Sequence, residues 1–237
     1  MPLASLDHDE QRLVANTWAF RASAERSALG RFERLHRELT AHHAPDYILT
    51  LVAASIADEQ RHIGLCDELA HRFGWTQKPL RPTPNHPIGP PNASPRNRLL
   101  YEMVAFCCVT ETINAAMLLA IRTSVASPVV RETVVAILKD EVNHSKVGWA
   151  YLQHARNSGE GDFLSAHLPH MFHGAGVEEI YEAGNDSRNN ARLHAYGELS
   201  FSQRTAIFKA ACRDIVLPGF ERMNLDTQSA RDWLRTF

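Results

Sequence analysis

Cysteine is scarce in this chain, which has four thiols among 237 residues. None of them forms a Cys-x-x-Cys pair, so neither a zinc knuckle nor a disulfide framework is indicated. Cys66, Cys107 and Cys108 fall on the apolar faces of helices that are predicted below. We therefore expect small core residues there, with a redox role beside neighbouring glutamates and histidines as the alternative.

An excess of charge of one sign is also missing. The formal net charge is −2 and the basic residues are dispersed, so the chain lacks the positive footprint that nucleic acid or an anionic membrane attracts. No apolar run approaches the roughly 18 residues of a transmembrane helix, and Met1 to Arg12 lacks the apolar segment of a leader. These absences predict a cytoplasmic protein with neither a nucleic acid nor a membrane as partner.

Strand-like alternation is absent, whereas helical periodicity runs through most of the chain. It predicts four long helices at about 8–41, 45–73, 96–123 and 128–157. Shorter helices are predicted at 161–182, 187–196, 201–215 and from Thr227 onward. Pro218-Gly219 is expected to break the helical pattern between the last two. The sequence thus predicts one all-α domain, 1–237, with a core at about 8–157 and further helices at about 160–237 over one side or end.

The connection between the second and third helices is long and rich in proline. The segment from Gly74 to Pro95 contains seven prolines, counting Pro95 itself, and they exclude a regular helix there. Such a connection is needed where two successive helices of a bundle run parallel, because the chain must return along the whole bundle. The length of this segment therefore supports a helical bundle with one crossover.

Two copies of Asp-Glu-x-x-His are the main chemical signal. They are Asp58-Glu59-Gln60-Arg61-His62 and Asp140-Glu141-Val142-Asn143-His144. Residues three apart share one face of a helix, so each copy directs a carboxylate and an imidazole to the same point. Together the two copies can supply four of the six ligands of a site for two metal ions.

Periodicity separates these copies from two chance matches to the same spacing. Glu33 and Glu68 also precede a histidine by three residues, but both fall on polar helix faces. Glu59 and Glu141 instead lie within apolar stripes. An ionised carboxylate is costly to bury among apolar side chains unless it is paired or coordinates a metal, so the stripes favour a metal site.

The two preceding helices each contribute one inward glutamate. Glu25 and Glu111 share a face with apolar residues, whereas Glu102 points away. Within each predicted hairpin, the single glutamate and the motif glutamate are equally far from the turn, so at about 1.5 Å per residue they lie level. The expected metal ligands are Glu25, Glu59, His62, Glu111, Glu141 and His144.

A second metal site is conceivable at His167, His170 and His173, because histidines three apart share a helix face. Pro169 lies inside this triplet and disfavours the arrangement. Surface or core histidines are the preferred interpretation.

The ligand set, the crossover and the aspartate before each Glu-x-x-His together resemble the ferritin-like superfamily of di-iron carboxylate oxidases and oxygenases, over residues 10–157. The resemblance implies a ferritin-like four-helix bundle. In bacterial multicomponent monooxygenases of this superfamily the motif is Asp-Glu-x-Arg-His, which Arg61 matches and Asn143 does not. By this resemblance Asp58 orients His144 and Asp140 orients His62.

The resemblance also implies a reaction. Two iron ions are expected, with a manganese and iron pair as a variant, and their chemistry would use O2 and an electron donor protein or other reductant to oxidise a small organic substrate. In pattern the chain is most similar to small stand-alone oxidases such as the cyanobacterial aldehyde-deformylating oxygenases. A monomer or homodimer is expected. The alternative is a ferritin-like protein that oxidises and handles iron, but the second motif and residues 160–237 favour the enzyme.

Small residues beside the predicted ligands suggest a place for substrate. Ala115 follows Glu111 by one helical turn, and Ala28 occupies the comparable place after Glu25. A void there could hold the substrate. The same residues could instead allow close helix packing, since alanine is common in helices for its propensity alone.

Overall fold

The computed structural model describes residues 6–82, 86–177, 180 and 191–237. These residues form helices and their connections, with no strand among them, so the predicted all-α class is confirmed. The four long helices end within one residue of their predicted bounds. They are α1 (His8–Ala41), α2 (Asp46–Arg72), α3 (Pro95–Ser124) and α4 (Pro128–Asn157).

Two hairpins organise these helices. Short connections join α1 to α2 and α3 to α4, and both pairs pack along their length, as antiparallel neighbours with short loops do. Helix α2 also packs on α4. The start of α1 is fixed by a capping box, in which Asp7 accepts from the Glu10 amide and Glu10 accepts from the Asp7 amide. The apolar stripes of α1, α2 and α4 meet in one core.

The proline-rich connection is tied to the helices by hydrogen bonds. Ser23 donates to the backbone oxygen of Arg81 at 3.0 Å, and the Ile88 amide donates to Glu102 Oε2 at 3.3 Å. Glu102 points away from the other glutamates, as predicted, but it is buried rather than solvated. Arg34 Nη1 donates to its Oε2 at 3.0 Å and neutralises it. Glu102 thus joins α1, α3 and the crossover.

Helix α3 contains a π-helical segment, Val104–Thr110, directly before Glu111. It lies against Gly148 of α4, where a β-carbon would come within 2.7 Å of the Cys108 amide nitrogen. Only glycine permits this approach of the two backbones. π segments within helices are frequent at functional sites, because they turn the following side chains.

The sequence predicts no apolar run near the length of a transmembrane helix, but α3 departs from that prediction. By length and composition alone, Pro95–Ser124 is long and apolar enough to cross a membrane, and 67% of its most apolar stretch is buried inside the protein. The buried core helix of a soluble protein meets the same criterion of length and apolar composition. The helix alone is therefore weak evidence for a membrane span.

The C-terminal part packs along α3. Helix α5 (Leu168–Gly176) covers the π segment of α3, and α6 (Phe201–Ala211) covers the half of α3 that follows Glu111. The chain then continues through a second π segment into α7 (Leu217–Arg222), and α8 (Gln228–Thr236) follows. Between α5 and α6, residues 191–194 form one helical turn.

The predicted break at Pro218-Gly219 is wrong, because the helix passes through it. Pro218 lies in the first turn of α7, directly after the π segment, and proline is tolerated at this helix position. The Trp149 ring packs so closely on Gly219 that a β-carbon at this position would lie 2.5 Å from the ring. The helices predicted at 161–182 and 187–196 extend partly outside the described residues.

Candidate metal centre

Four helices place six glutamates and histidines together in the core. Helix α1 contributes Glu25, α3 contributes Glu111, and α2 and α4 each contribute one Glu-x-x-His pair. All six side chains are buried, and the most exposed of them is 5% accessible. These residues are Glu25, Glu59, His62, Glu111, Glu141 and His144.

The six residues form two groups of candidate ligands that overlap. One group adds Glu25 and His62 to Glu59 and Glu141, and the other adds Glu111 and His144 to the same two glutamates. Within each group one ligand atom per residue lies within 4.8 Å of all the others. Two cation positions that share two carboxylates are the arrangement of a dinuclear centre.

The shared carboxylates each present one oxygen to each histidine. Glu141 Oε1 lies 3.4 Å from His62 Nδ1, and Glu141 Oε2 lies 3.3 Å from His144 Nδ1. Glu59 does the same with its oxygens in the opposite order, at 3.7 Å from His62 and 3.1 Å from His144. Both carboxylates are therefore placed to bridge two ions.

The atoms that face the centre have no hydrogen-bond partner among the described residues. Six buried atoms lack a partner in this way: both carboxylate oxygens of Glu59, both of Glu141, and the Nδ1 atoms of His62 and His144. An unsatisfied buried polar group costs roughly 1–3 kcal/mol, and a charged one costs more. Cations between these atoms would satisfy all of them, so the residues fit a pair of metal ions.

Burial and mutual repulsion shape the protonation of the cluster. Burial, followed by the charge of Glu59, raises the pKa of Glu25 to about 8. Burial and then Glu141 likewise raise the pKa of Glu111 well above its usual value. For His144 burial acts to lower the pKa, but contacts with Glu141 and Glu59 outweigh it and raise the pKa to about 10. Without cations the cluster thus retains protons that metal ions would displace.

A second layer of carboxylates faces the outer nitrogens of the histidines. Asp140 Oδ2 accepts a hydrogen bond from His62 Nε2 at 3.2 Å. Asp58 Oδ2 lies 3.4 Å from His144 Nε2, a charge contact without a hydrogen bond. This is the crossed pairing that the resemblance implied. Both Nδ1 atoms face the centre, and once a cation displaced their protons each could serve as a ligand while Nε2 stayed protonated beside its aspartate.

Arg61 adds the outermost contact. It donates to Asp58 Oδ1 at 2.6 Å and to Asp140 Oδ2 at 2.8 Å. Asn143, which stands where the second motif departs from arginine, is exposed and instead accepts from Lys146 at 3.0 Å. One arginine therefore contacts both aspartates, which the motif pattern alone did not reveal.

The chance matches stay outside the centre. Glu33 and Glu68 are exposed, as their polar helix faces predicted. His170 and His173 are exposed too, and the candidate ligand groups found in the described residues do not include them. His167 is half-buried and packs edge-on against the Tyr101 ring.

The cysteines lie in the core, as predicted, whereas the two alanines beside the predicted ligands lie at its edge. All four cysteines are buried and unpaired by disulfides, and burial raises the pKa of Cys66, Cys107 and Cys108 well above the usual value, so these thiols are protonated. Ala28 and Ala115 are half-buried at the edge of the core.

An aromatic contact completes the surroundings of one histidine. The buried ring of Phe32 meets the His144 ring edge-on at 5.3 Å between centroids, and Phe106 packs behind Phe32 at 4.9 Å. Phe32 lies two helical turns after Glu25 on the same buried face of α1. Its contact with His144 depends on how α1 packs against α4, which periodicity does not give.

No protein-family model, curated protein sequence or solved structure matches the chain.

Proposed function

We propose that this protein is a ferritin-like di-iron enzyme that uses O2 to oxidise a small organic substrate. The observation that carries this proposal is the pair of buried glutamates, Glu59 and Glu141, each of which offers one unpartnered oxygen to each of two histidines. A site for a single ion would not need two such carboxylates. Four helices, two short hairpin connections and one long crossover support the ferritin-like topology.

The donor set favours iron. It consists of carboxylate and imidazole groups, and the protonated cysteines contribute no thiolate to either group. Such oxygen and nitrogen ligands suit iron or manganese better than a structural zinc ion. One position would take Glu25 and His62, the other would take Glu111 and His144, and both would share the bridging pair. When bound, two ferrous ions would supply the electrons that activate O2.

The remaining residues would hold the site in shape and keep it dry. Asp140 accepts from His62 Nε2 and would fix its tautomer, so that Nδ1 remains available as a ligand. Asp58 lies 3.4 Å from His144 Nε2 and would favour the same orientation by its charge. Phe32 and the apolar stripes of the four helices exclude water from the centre. Exclusion of water protects reactive oxygen chemistry from side reactions. Electrons for repeated turnover would come from a protein or another reductant.

Anaerobic loading with ferrous ions tests the proposal directly. We expect two iron ions per chain, because the two groups of ligands define two positions. Exposure to air should then consume O2 without forming a mineral. Iron analysis, an oxygen electrode and size-exclusion chromatography measure these outcomes. A large closed shell that accumulates many iron atoms per chain would show that iron itself is the substrate, and a chain that binds no iron would contradict the proposal altogether.

The place of the substrate is tested at Ala115. Ala115 is half-buried one turn after Glu111. If the substrate lies against it, Ala115→Phe should abolish substrate-dependent O2 uptake, because the ring would occupy the same place. Iron content and thermal stability should remain unchanged. Leu119→Phe is the matched control, since Leu119 lies one turn later on α3 and is 46% exposed. Full activity of Ala115→Phe would place the substrate elsewhere, and a loss of stability would assign Ala115 to helix packing.

A further inference from the structure

One guanidinium group connects the two halves of the centre. Arg61 Nη2 donates to Asp58 Oδ1 at 2.6 Å and to Asp140 Oδ2 at 2.8 Å, so a single nitrogen uses its two protons on two different helices. Arg61 Nη1 donates to the Ala57 backbone oxygen at 3.2 Å, which fixes the group against α2. The side chain is thus held by three hydrogen bonds, although it is 55% exposed.

The two aspartates lead to different histidines. Asp140 accepts from His62 Nε2 at 3.2 Å, with the same oxygen that accepts from Arg61. Asp58 faces His144 Nε2 with its other oxygen at 3.4 Å, a charge contact without a hydrogen bond. Arg61 therefore contacts each histidine indirectly, through one aspartate carboxylate.

The second motif offers no equivalent group. Asn143 occupies the position of Arg61 in that motif, but its amide oxygen accepts from Lys146 on the surface of α4. Two carboxylates that bind the same nitrogen also repel each other. A cation between them offsets that repulsion and holds both in position.

We propose that Arg61 is a positioning residue shared by both metal positions. This inference rests on the proposed dinuclear site. By fixing Asp58 and Asp140 together, Arg61 sets the orientation of His62 and His144 at the same time. Loss of an outer partner of a metal-bound histidine weakens metal binding about 10–100-fold. Here one substitution, Arg61→Ala, should weaken both positions.

A general loss of stability would not produce this pattern. Arg61 is 55% exposed, and exposed ion pairs contribute little to folding. The unfolding temperature of the metal-free Arg61→Ala protein should therefore stay close to that of the unaltered protein. The effect should appear in metal affinity, at both positions.

Anaerobic titration with cobalt(II) distinguishes the two positions, because its visible absorption reports each bound equivalent. Asp58→Ala should weaken one equivalent and Asp140→Ala the other, which provides the single-position references. Arg61→Ala should weaken both, each by about tenfold or more. Arg96→Ala is the matched control, since Arg96 is 54% exposed and pairs with Glu160 at 2.7 Å far from the centre. It should bind cobalt(II) like the unaltered protein.

A second variant tests whether one arginine serves both metal positions. Asn143→Arg places an arginine three residues after Asp140, as Arg61 stands three residues after Asp58. Added to Arg61→Ala, it should restore cobalt(II) affinity at both positions. Unchanged affinity in Arg61→Ala, or a loss confined to one equivalent, would overturn the shared role. Failure of the unaltered protein to bind cobalt(II) would instead contradict the proposed dinuclear site.

Discussion

Glu59→Ala is expected to abolish metal binding at both positions of the centre. Each of the two groups of candidate ligands contains Glu59, and its two oxygens face different histidines. Glu25→Ala removes a ligand that belongs to one group only. After anaerobic ferrous loading, the ratio of iron to protein should fall from two to well below one in Glu59→Ala, whereas Glu25→Ala should retain about one iron per chain.

Two glutamates with the same sequence spacing serve as controls. Glu33 and Glu68 each precede a histidine by three residues, but both are exposed. Glu33→Ala and Glu68→Ala should therefore leave the iron content at two per chain. Equal losses at Glu33 or Glu68 would mean that iron binds adventitiously to surface carboxylates. Loss of only one iron in Glu59→Ala would contradict its role as a bridge.

The long helices and the cluster were predictable because they depend on periodicity and on the cost of burying charge. An apolar stripe that contains Glu59 or Glu141 leaves the carboxylate no exposed alternative. The hairpin turns then fix its height against Glu25 or Glu111, since every helical residue adds the same rise. These arguments need only local sequence, and the structure places the six residues together.

Contacts across helices were less accessible to such reasoning. The same periodicity that turned Glu102 away from the centre could not show that Arg34 would bury and neutralise it. The resemblance matches Arg61 to the arginine of the motif, but its hydrogen bond to Asp140 depends on the packing of α2 against α4. The identity of the residue at 143 gave the only hint, because the absence of a second arginine leaves one to serve both aspartates.

Departures from ideal helices were also missed. Pro218 predicts an interruption because it has no amide proton to donate to the preceding turn. The π segment Cys212–Val216 changes the hydrogen-bond pattern just before it, so the helix continues through the proline. The π segment before Glu111 had no recognised signal in the sequence. Its clearest correlate is Gly148 on the facing helix, which became informative only after the two backbones were seen in contact.

Gly148→Ala is expected to destabilise the protein and to disturb the metal centre. In an ordinary helix this substitution stabilises by up to about 1 kcal/mol. Here the added carbon would meet the Cys107 β-carbon and the Cys108 amide nitrogen and sulfur, each at 2.7 Å. Overpacking of this kind costs about 1–3 kcal/mol. Because the displaced π segment leads directly into Glu111, iron binding at the Glu111 and His144 position should weaken as well.

The sign of the effect separates close packing from helix propensity. Gly64 is an exposed glycine within α2, and a β-carbon there would meet nothing within 4 Å. Gly64→Ala should therefore raise the free energy of unfolding by up to about 1 kcal/mol, while Gly148→Ala lowers it. Denaturant unfolding of the metal-free proteins measures both changes without a contribution from bound iron. If Gly148→Ala proved as stabilising as Gly64→Ala, the backbones of α3 and α4 would not be in contact at the π segment, and Glu111 would have to be positioned by other means.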